Sequence, residues 1–186
     1  EKLLSERAEE KSVVRLGLAA RSATDFPSAR ERPLKFLDLC AGSGAVGCAA
    51  LARLRTRQHD DVSGTHVYFG EIDSAHGATI LKNIRENNLD MSRADVRIGD
   101  LFEPFGNMKF DVIAANPPYV PAGRVLPKSV VDYEPSLALL AGADGLDIIR
   151  RIAQELPKHL APGGVAWIEC DCAAAAAAAA FFTDQG

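Results

Sequence analysis

The stretch "LDLCAGSGAVG" (37–47) sets Gly42, Gly44 and Gly47 at G-x-G-x-x-G spacing. An apolar run, "LKFLDL" (34–39), leads into it, and an Ala/Leu-rich segment follows to about Arg55. That order predicts a strand, a tight turn and a helix, with glycines where the backbone must turn sharply and let a ligand approach. Outward from this unit the alternation repeats. "HVYFGEI" (66–72) predicts a second strand, and residues 74–88 a helix with Ala78, Leu81 and Ile84 on one side. "DVRIGD" (95–100) and "FDVIAAN" (110–116) predict the third and fourth strands. Leu146, Ile149, Ile152, Ala153, Leu156 and Leu160 form one stripe, so 144–160 reads as a helix despite Pro157. "PGG" (162–164) reads as a turn and "VAWIEC" (165–170) as a fifth strand. Residues 1–20 read as a leading helix, with the charges of "SERAEEK" and apolar Leu3, Leu4, Val13, Val14 and Leu16.

Strands alternating with helices imply an α/β fold: a doubly wound, mostly parallel, Rossmann-like sheet covered on both faces. The strands are apolar without alternation, as burial on both faces requires. The 186 residues, 47% apolar and 25% charged, suit one globular domain with a sizeable core. A net charge of −4 argues against a protein that lives on a phosphate backbone. No apolar run reaches the length of a membrane span. Cys40, Cys48, Cys170 and Cys172 form no C-x-x-C pair, which favours reduced thiols in an intracellular protein over zinc or disulfides. No metal site is expected. The alanine run at 173–180 carries no functional signal.

The glycine turn admits two cofactor classes, dinucleotides and S-adenosylmethionine. Acidic residues favour the second. Asp38 closes the first strand, Glu71 the second, where a carboxylate accepts ribose hydroxyls, and Asp100 the third, placed to meet an adenine amino group. Glu71 alone fits NAD equally well. Three carboxylates around one crevice suit an ammonium and a sulfonium, and suit a pyrophosphate badly.

The fourth strand ends in "AANPPYV" (114–120). In an open α/β sheet, ligands bind outside the carboxyl ends of the strands, so Asn116-Pro117-Pro118-Tyr119 faces the cofactor's reactive end. A planar amide or aromatic amine is a poor nucleophile because its lone pair is delocalised. The Asn116 side-chain oxygen and the Pro117 carbonyl would accept its N–H groups. Both would bind more tightly as the nitrogen turns tetrahedral and partly positive. Pro117 and Pro118 stiffen the loop and offer no competing N–H. Tyr119 would supply a flat wall.

These residues resemble the class I S-adenosylmethionine-dependent methyltransferases that carry (N/D)PPY. "VVDYEPSLALLAGADGLDIIRRI" (130–152) narrows the resemblance to release-factor glutamine methyltransferases of the HemK/PrmC type: Glu134, Pro135, Ala138, Leu139, Gly145 and Leu146 fit the segment that follows NPPY there. The resemblance covers roughly residues 34–172. It implies S-adenosylmethionine as cofactor, with Gly42 and Gly44 at its methionine part and Glu71 at its ribose; Asp38, Asp100 and Asn116 are expected to join them from their places at the strand ends. It implies that Asn116 and Pro117 hold the amide; with Tyr119 as the flat wall, these three are the expected catalytic group. It implies an acceptor, the Gln of the Gly-Gly-Gln motif of a peptide chain release factor, bound by Asn116, Pro117, Pro118, Tyr119, Glu134 and Pro135. The expected setting is intracellular, cytoplasm or mitochondrial matrix, with no membrane partner and no nucleic acid.

The chain departs from that pattern. It is expected to hold a single catalytic domain over 1–186, without the family's N-terminal helical domain, its P-R-x-x-T-E segment or the last strands of its sheet. "RTRQHDDVSGT" (55–65) reads as an insertion, and Glu71 stands where the family usually has Asp. The competing readings are an amine methyltransferase of DNA or RNA bases, a non-catalytic cofactor-binding subunit, and a dinucleotide oxidoreductase.

Overall fold

The structure, a computed structural model, describes residues 11–17, 33–55, 64–123 and 141–183. The elements, in chain order, are β1 (Lys11–Gly17), β2 (Lys35–Leu39), α1 (Ala45–Arg55), β3 (His66–Glu71), α2 (Ser74–Glu86), β4 (Ala94–Ile98), β5 (Phe110–Ala115), α3 (Asp147–His159), β6 (Leu160–Asp171) and α4 (Ala175–Thr183). The strands form one sheet in the order β1-β6-β5-β2-β3-β4. All pairings are parallel except β1 against β6. β2 lies between β3 and β5. The winding therefore reverses at β2, and the crevice between the ends of β2 and β5 is where such sheets take ligands.

Side-chain alternation divides the core between the two faces. On β2, Leu37 and Leu39 join the cluster that holds Ile149, Ile152 and Leu156 of α3 and Ala178 of α4. Phe36 packs instead with Val67, Phe69, Leu51 of α1, and Ile80 and Ile84 of α2. Residues two apart on a strand share a face, so one short strand anchors helices on both sides.

The leading helix expected over 1–20 is not what the structure holds at 11–17. β1 pairs there with β6 from Lys11↔Asp171 to Gly17↔Val165. The remainder of 1–20 lies outside the described residues. "SVVRL" combines β-branched residues with a pattern too short to separate helix from strand. The open edge of β6 decides, because its unpaired N–H and C=O groups take up the segment as a strand.

Two further boundaries shift. α2 buries Gly77, Ile80 and Ile84 rather than Ala78 and Leu81, so its inner face is turned from the expected one. A Cβ at Gly77 would lie 2.7 Å from Ile98 Cδ1, so β4 packs against bare backbone there. The fifth strand starts at Leu160 and takes in the expected "PGG" turn as an irregularity opposite Phe110–Val112.

Candidate active site

Asp38, Gly42, Glu71, Asp100, Asn116 and Pro118 line one cleft of 660 Å³ at the carboxyl ends of the strands. The cleft is assembled from short turns, each shaped by a physical demand. After β2 the chain passes through positive φ at Cys40 (58°), Gly42 (53°) and Gly44 (78°). Gly42 has open space where a Cβ would sit, so its conformation calls for glycine and its bare face fronts the cleft. At Gly47 the demand is packing: a Cβ would come within 2.7 Å of Phe69 Cζ. The turn is closed by Gly44 N–H donating to the Ala41 carbonyl at 2.7 Å, and Asn83 Nδ2 ties it to α2 by donating to the Ser43 carbonyl at 2.9 Å.

Two buried carboxylates stand behind this turn. Gly47 N–H, at the start of α1, donates to Asp38 Oδ2 at 2.8 Å. Burial raises the Asp38 pKa to about 7; the Gly47 bond pulls it down and the nearby Glu71 charge pushes it up. Glu71 accepts Gly42 N–H on Oε2 at 2.7 Å, and the N–H groups of Ile72 and Asp73 on Oε1, both at 2.9 Å. Those three donors leave about one of the four acceptor positions of a carboxylate for a ligand. Burial pushes the Cys40 thiol up to about 12, helped by the Glu71, Asp38 and Asp100 charges and opposed by Arg151. Cys40 is thus a neutral thiol and no nucleophile at neutral pH.

The cleft also holds residues that the sequence did not single out: Val46, Ile72, His76, Ile148 and Arg151. Val46 and Ile72 are 44% and 53% exposed, apolar surface left bare in the cleft. His76 Nδ1 lies 3.7 Å from Glu71 Oε1. Arg151 Nη2 donates to Asp100 Oδ2 at 2.6 Å, so Asp100 is paired with a guanidinium within the cleft. No motif flags Arg151; it reaches the cleft because α3 runs alongside it.

The expected acceptor group divides. Asn116 is exposed into the cleft and Pro118 lines it, whereas Pro117 is buried. Tyr119 packs on the core and donates its hydroxyl to Glu169 Oε1 at 3.2 Å. It therefore braces the end of β6, and neither it nor Pro117 is among the described residues that line the cleft. Gly44 is buried under the turn. Glu134 and Pro135 lie outside the described residues.

A mostly parallel sheet that reverses at β2, with a glycine turn and carboxylates at the switch point, is a Rossmann-like fold. Solved structures agree on the fold. A methyltransferase from Pyrococcus furiosus matches with TM-score 0.52 at 18% identity, over 83% of this chain and 66% of that one. A methyltransferase solved in complex with SAH matches with TM-score 0.53 at 13% identity, over 83% of this chain and 37% of that one.

The model of the family described as "Conserved hypothetical protein 95" matches residues 25–131, and the chain belongs to that family. The resemblance to glutamine methyltransferases also holds among curated relatives. The chain is 38% identical over 146 residues to the ribosomal protein uL3 glutamine methyltransferase of Bradyrhizobium diazoefficiens, covering 78% of this chain and 42% of that protein. It is 35% identical over 154 residues to the release factor glutamine methyltransferase of Geobacter sulfurreducens, covering 81% and 50%. The chain thus spans about half the length of the curated relatives it matches.

Proposed function

We propose that this chain is the catalytic core of an S-adenosylmethionine-dependent methyltransferase acting on the side-chain amide nitrogen of a glutamine in a protein of the translation apparatus. The observation that carries this reading is that Asn116 opens into the same cleft as the Gly42 turn, Asp38 and Glu71. The cleft suits that cofactor: Asp38, Glu71 and Asp100 are acceptors for an ammonium, hydroxyls and an amino group, and exposed Ile72 and Val46 offer apolar surface to a flat ring. When bound, the cofactor supplies a methyl group activated by its sulfonium.

The chain's own part is positioning and charge stabilisation. Asn116 Oδ1, exposed into the cleft, takes one N–H of the amide and turns the nitrogen toward the methyl carbon. Positive charge grows on that nitrogen as its bond to carbon forms and the carbon–sulfur bond breaks. The Asn116 oxygen therefore holds the transition state more tightly than the ground state. The alkylated amide is acidic enough to lose its proton to water, so no strong base is required.

Within this reading the acceptor is the Gln of the Gly-Gly-Gln motif in a release factor, met wherever that factor works, in cytoplasm or mitochondrial matrix. Ribosomal protein uL3 is the second substrate, favoured by the 38% identical relative. Labelled S-adenosylmethionine offered with each protein, with its Gln→Ala variant and with bare nucleic acid tests all of this. Label on one wild-type protein and not on its variant supports the reading and names the substrate. Label on nucleic acid alone moves the acceptor to a base amine and ends the reading.

A further inference from the structure

The loop that carries Asn116 is held by a segment far from it in sequence. Ala141 N–H donates to the Val120 carbonyl at 3.0 Å, and Ala122 N–H to the Gly142 carbonyl at 2.7 Å. Gly145 lies buried against the same loop. A Cβ at Gly145 would overlap the Tyr119 carbonyl oxygen and lie 3.1 Å from its carbon and 3.2 Å from Pro121 Cδ. Gly145 also has φ +77°, which few other residues tolerate. Close approach and backbone conformation thus demand glycine independently.

The turn is itself anchored. Asp144 Oδ1 accepts Leu146 N–H at 3.1 Å, and the Asp144 carboxylate pairs with Arg150. Leu146 and Ile149 are buried in the core. The same segment opens α3, whose Ile148 and Arg151 line the cleft. A shift at this turn is therefore felt by the acceptor loop. Pro117 and Pro118 sit between Asn116 and Tyr119 with φ locked, so the loop has few soft torsions to absorb a displacement of the Tyr119 carbonyl. The displacement is carried back to Asn116.

We propose that Gly145 is a positioning residue: its missing side chain sets the height of the acceptor loop, and so of Asn116, over the cleft. This deepens the methyltransferase reading and rests on it. A Gly145→Ala variant of the full chain is expected to lose about 100-fold in kcat, the scale of an ångström's misplacement. Its Kd for S-adenosylmethionine stays within about twofold, because uniform binding is untouched. Gly163→Ala is the control: φ is +71° there with open space for a Cβ, so it shares the backbone cost without the overlap and keeps kcat. Ala122→Pro removes the N–H given to Gly142 from an exposed position, and is expected to lower kcat in the same direction should Gly145→Ala fold poorly. Amide exchange supplies a readout independent of turnover: the Ala141 amide exchanges faster in Gly145→Ala while the Lys35–Leu39 amides do not change. Wild-type kcat in Gly145→Ala, or a fall matched by Gly163→Ala, overturns the proposal, as does unchanged protection of Ala141. If the wild type methylates no protein offered, the functional reading falls, and the exchange result alone decides whether Gly145 sets the loop.

Discussion

At the Glu71 end of the cleft, three backbone N–H groups converge on one carboxylate, each within 2.9 Å. At the Asn116 end, a side chain stands exposed on a two-proline loop whose bonds come from residues 141 and 142. The first region is built mostly by neighbours in sequence. Its glycine turn follows β2, Glu71 closes β3, and the donors at 72 and 73 are the next two residues. The second is built by a segment that returns from across the fold. The two ends thus rest on separate supports, and under the proposed function this makes cofactor binding and chemistry separable by mutation.

Asn116→Ala is the sharpest way to break the comparison. Methyl transfer falls about 100- to 1,000-fold, the scale of removing one group that holds a transition state, while cofactor Kd barely moves. Single-turnover rates and calorimetry measure the two, and a matching loss of affinity would place Asn116 at the wrong end. Glu71→Ala gives the inverse pattern. It removes a charged acceptor and strands three backbone donors, so cofactor Kd rises about 10- to 100-fold. An unchanged Kd removes Glu71 from the binding surface.

The pH dependence sharpens the same division. The Asp38 pKa stands at about 7 in the fold against an ordinary 3.8. Between those values the native chain holds a proton that the unfolded chain lacks. Stability from this group therefore falls as pH rises from about 4 to about 7 and is level above. In its proposed role Asp38 holds an ammonium as a carboxylate, so cofactor affinity runs the other way. Kd is expected to weaken by about fivefold from pH 7 to pH 6, and Asp38→Asn flattens that slope. A wild-type Kd constant between pH 6 and pH 8 sinks the assignment. Arg151→Ala gives the smallest effect. Its pair with Asp100 is 45% and 42% exposed, so thermal or denaturant unfolding should register a loss within about 1 kcal/mol.

Much of this fold was legible in residue order. The glycine turn, the carboxylates ending successive strands and the Asn-Pro-Pro-Tyr stop each mark a strand's end by local chemistry, and the structure brings most of them to one cleft. The inner face of α2 was not legible, because Gly77 is buried by what β4 places against it rather than by its own polarity. Nor was the role of Tyr119, whose hydroxyl meets Glu169 fifty residues later. β1 reads either way until the edge of β6 is present to pair with it. Arg151 enters the cleft because a helix packs there.

Strand, turn and helix order, and the residue types at the strand ends, follow from the sequence alone, because backbone sterics and apolar periodicity act over a few neighbours. That one carboxylate gathers three N–H groups, that Tyr119 braces β6 instead of lining the cleft, and that Gly145 admits no side chain follow from tertiary packing. Those properties depend on distances between segments tens of residues apart, and only the packed sheet and its helices set such distances.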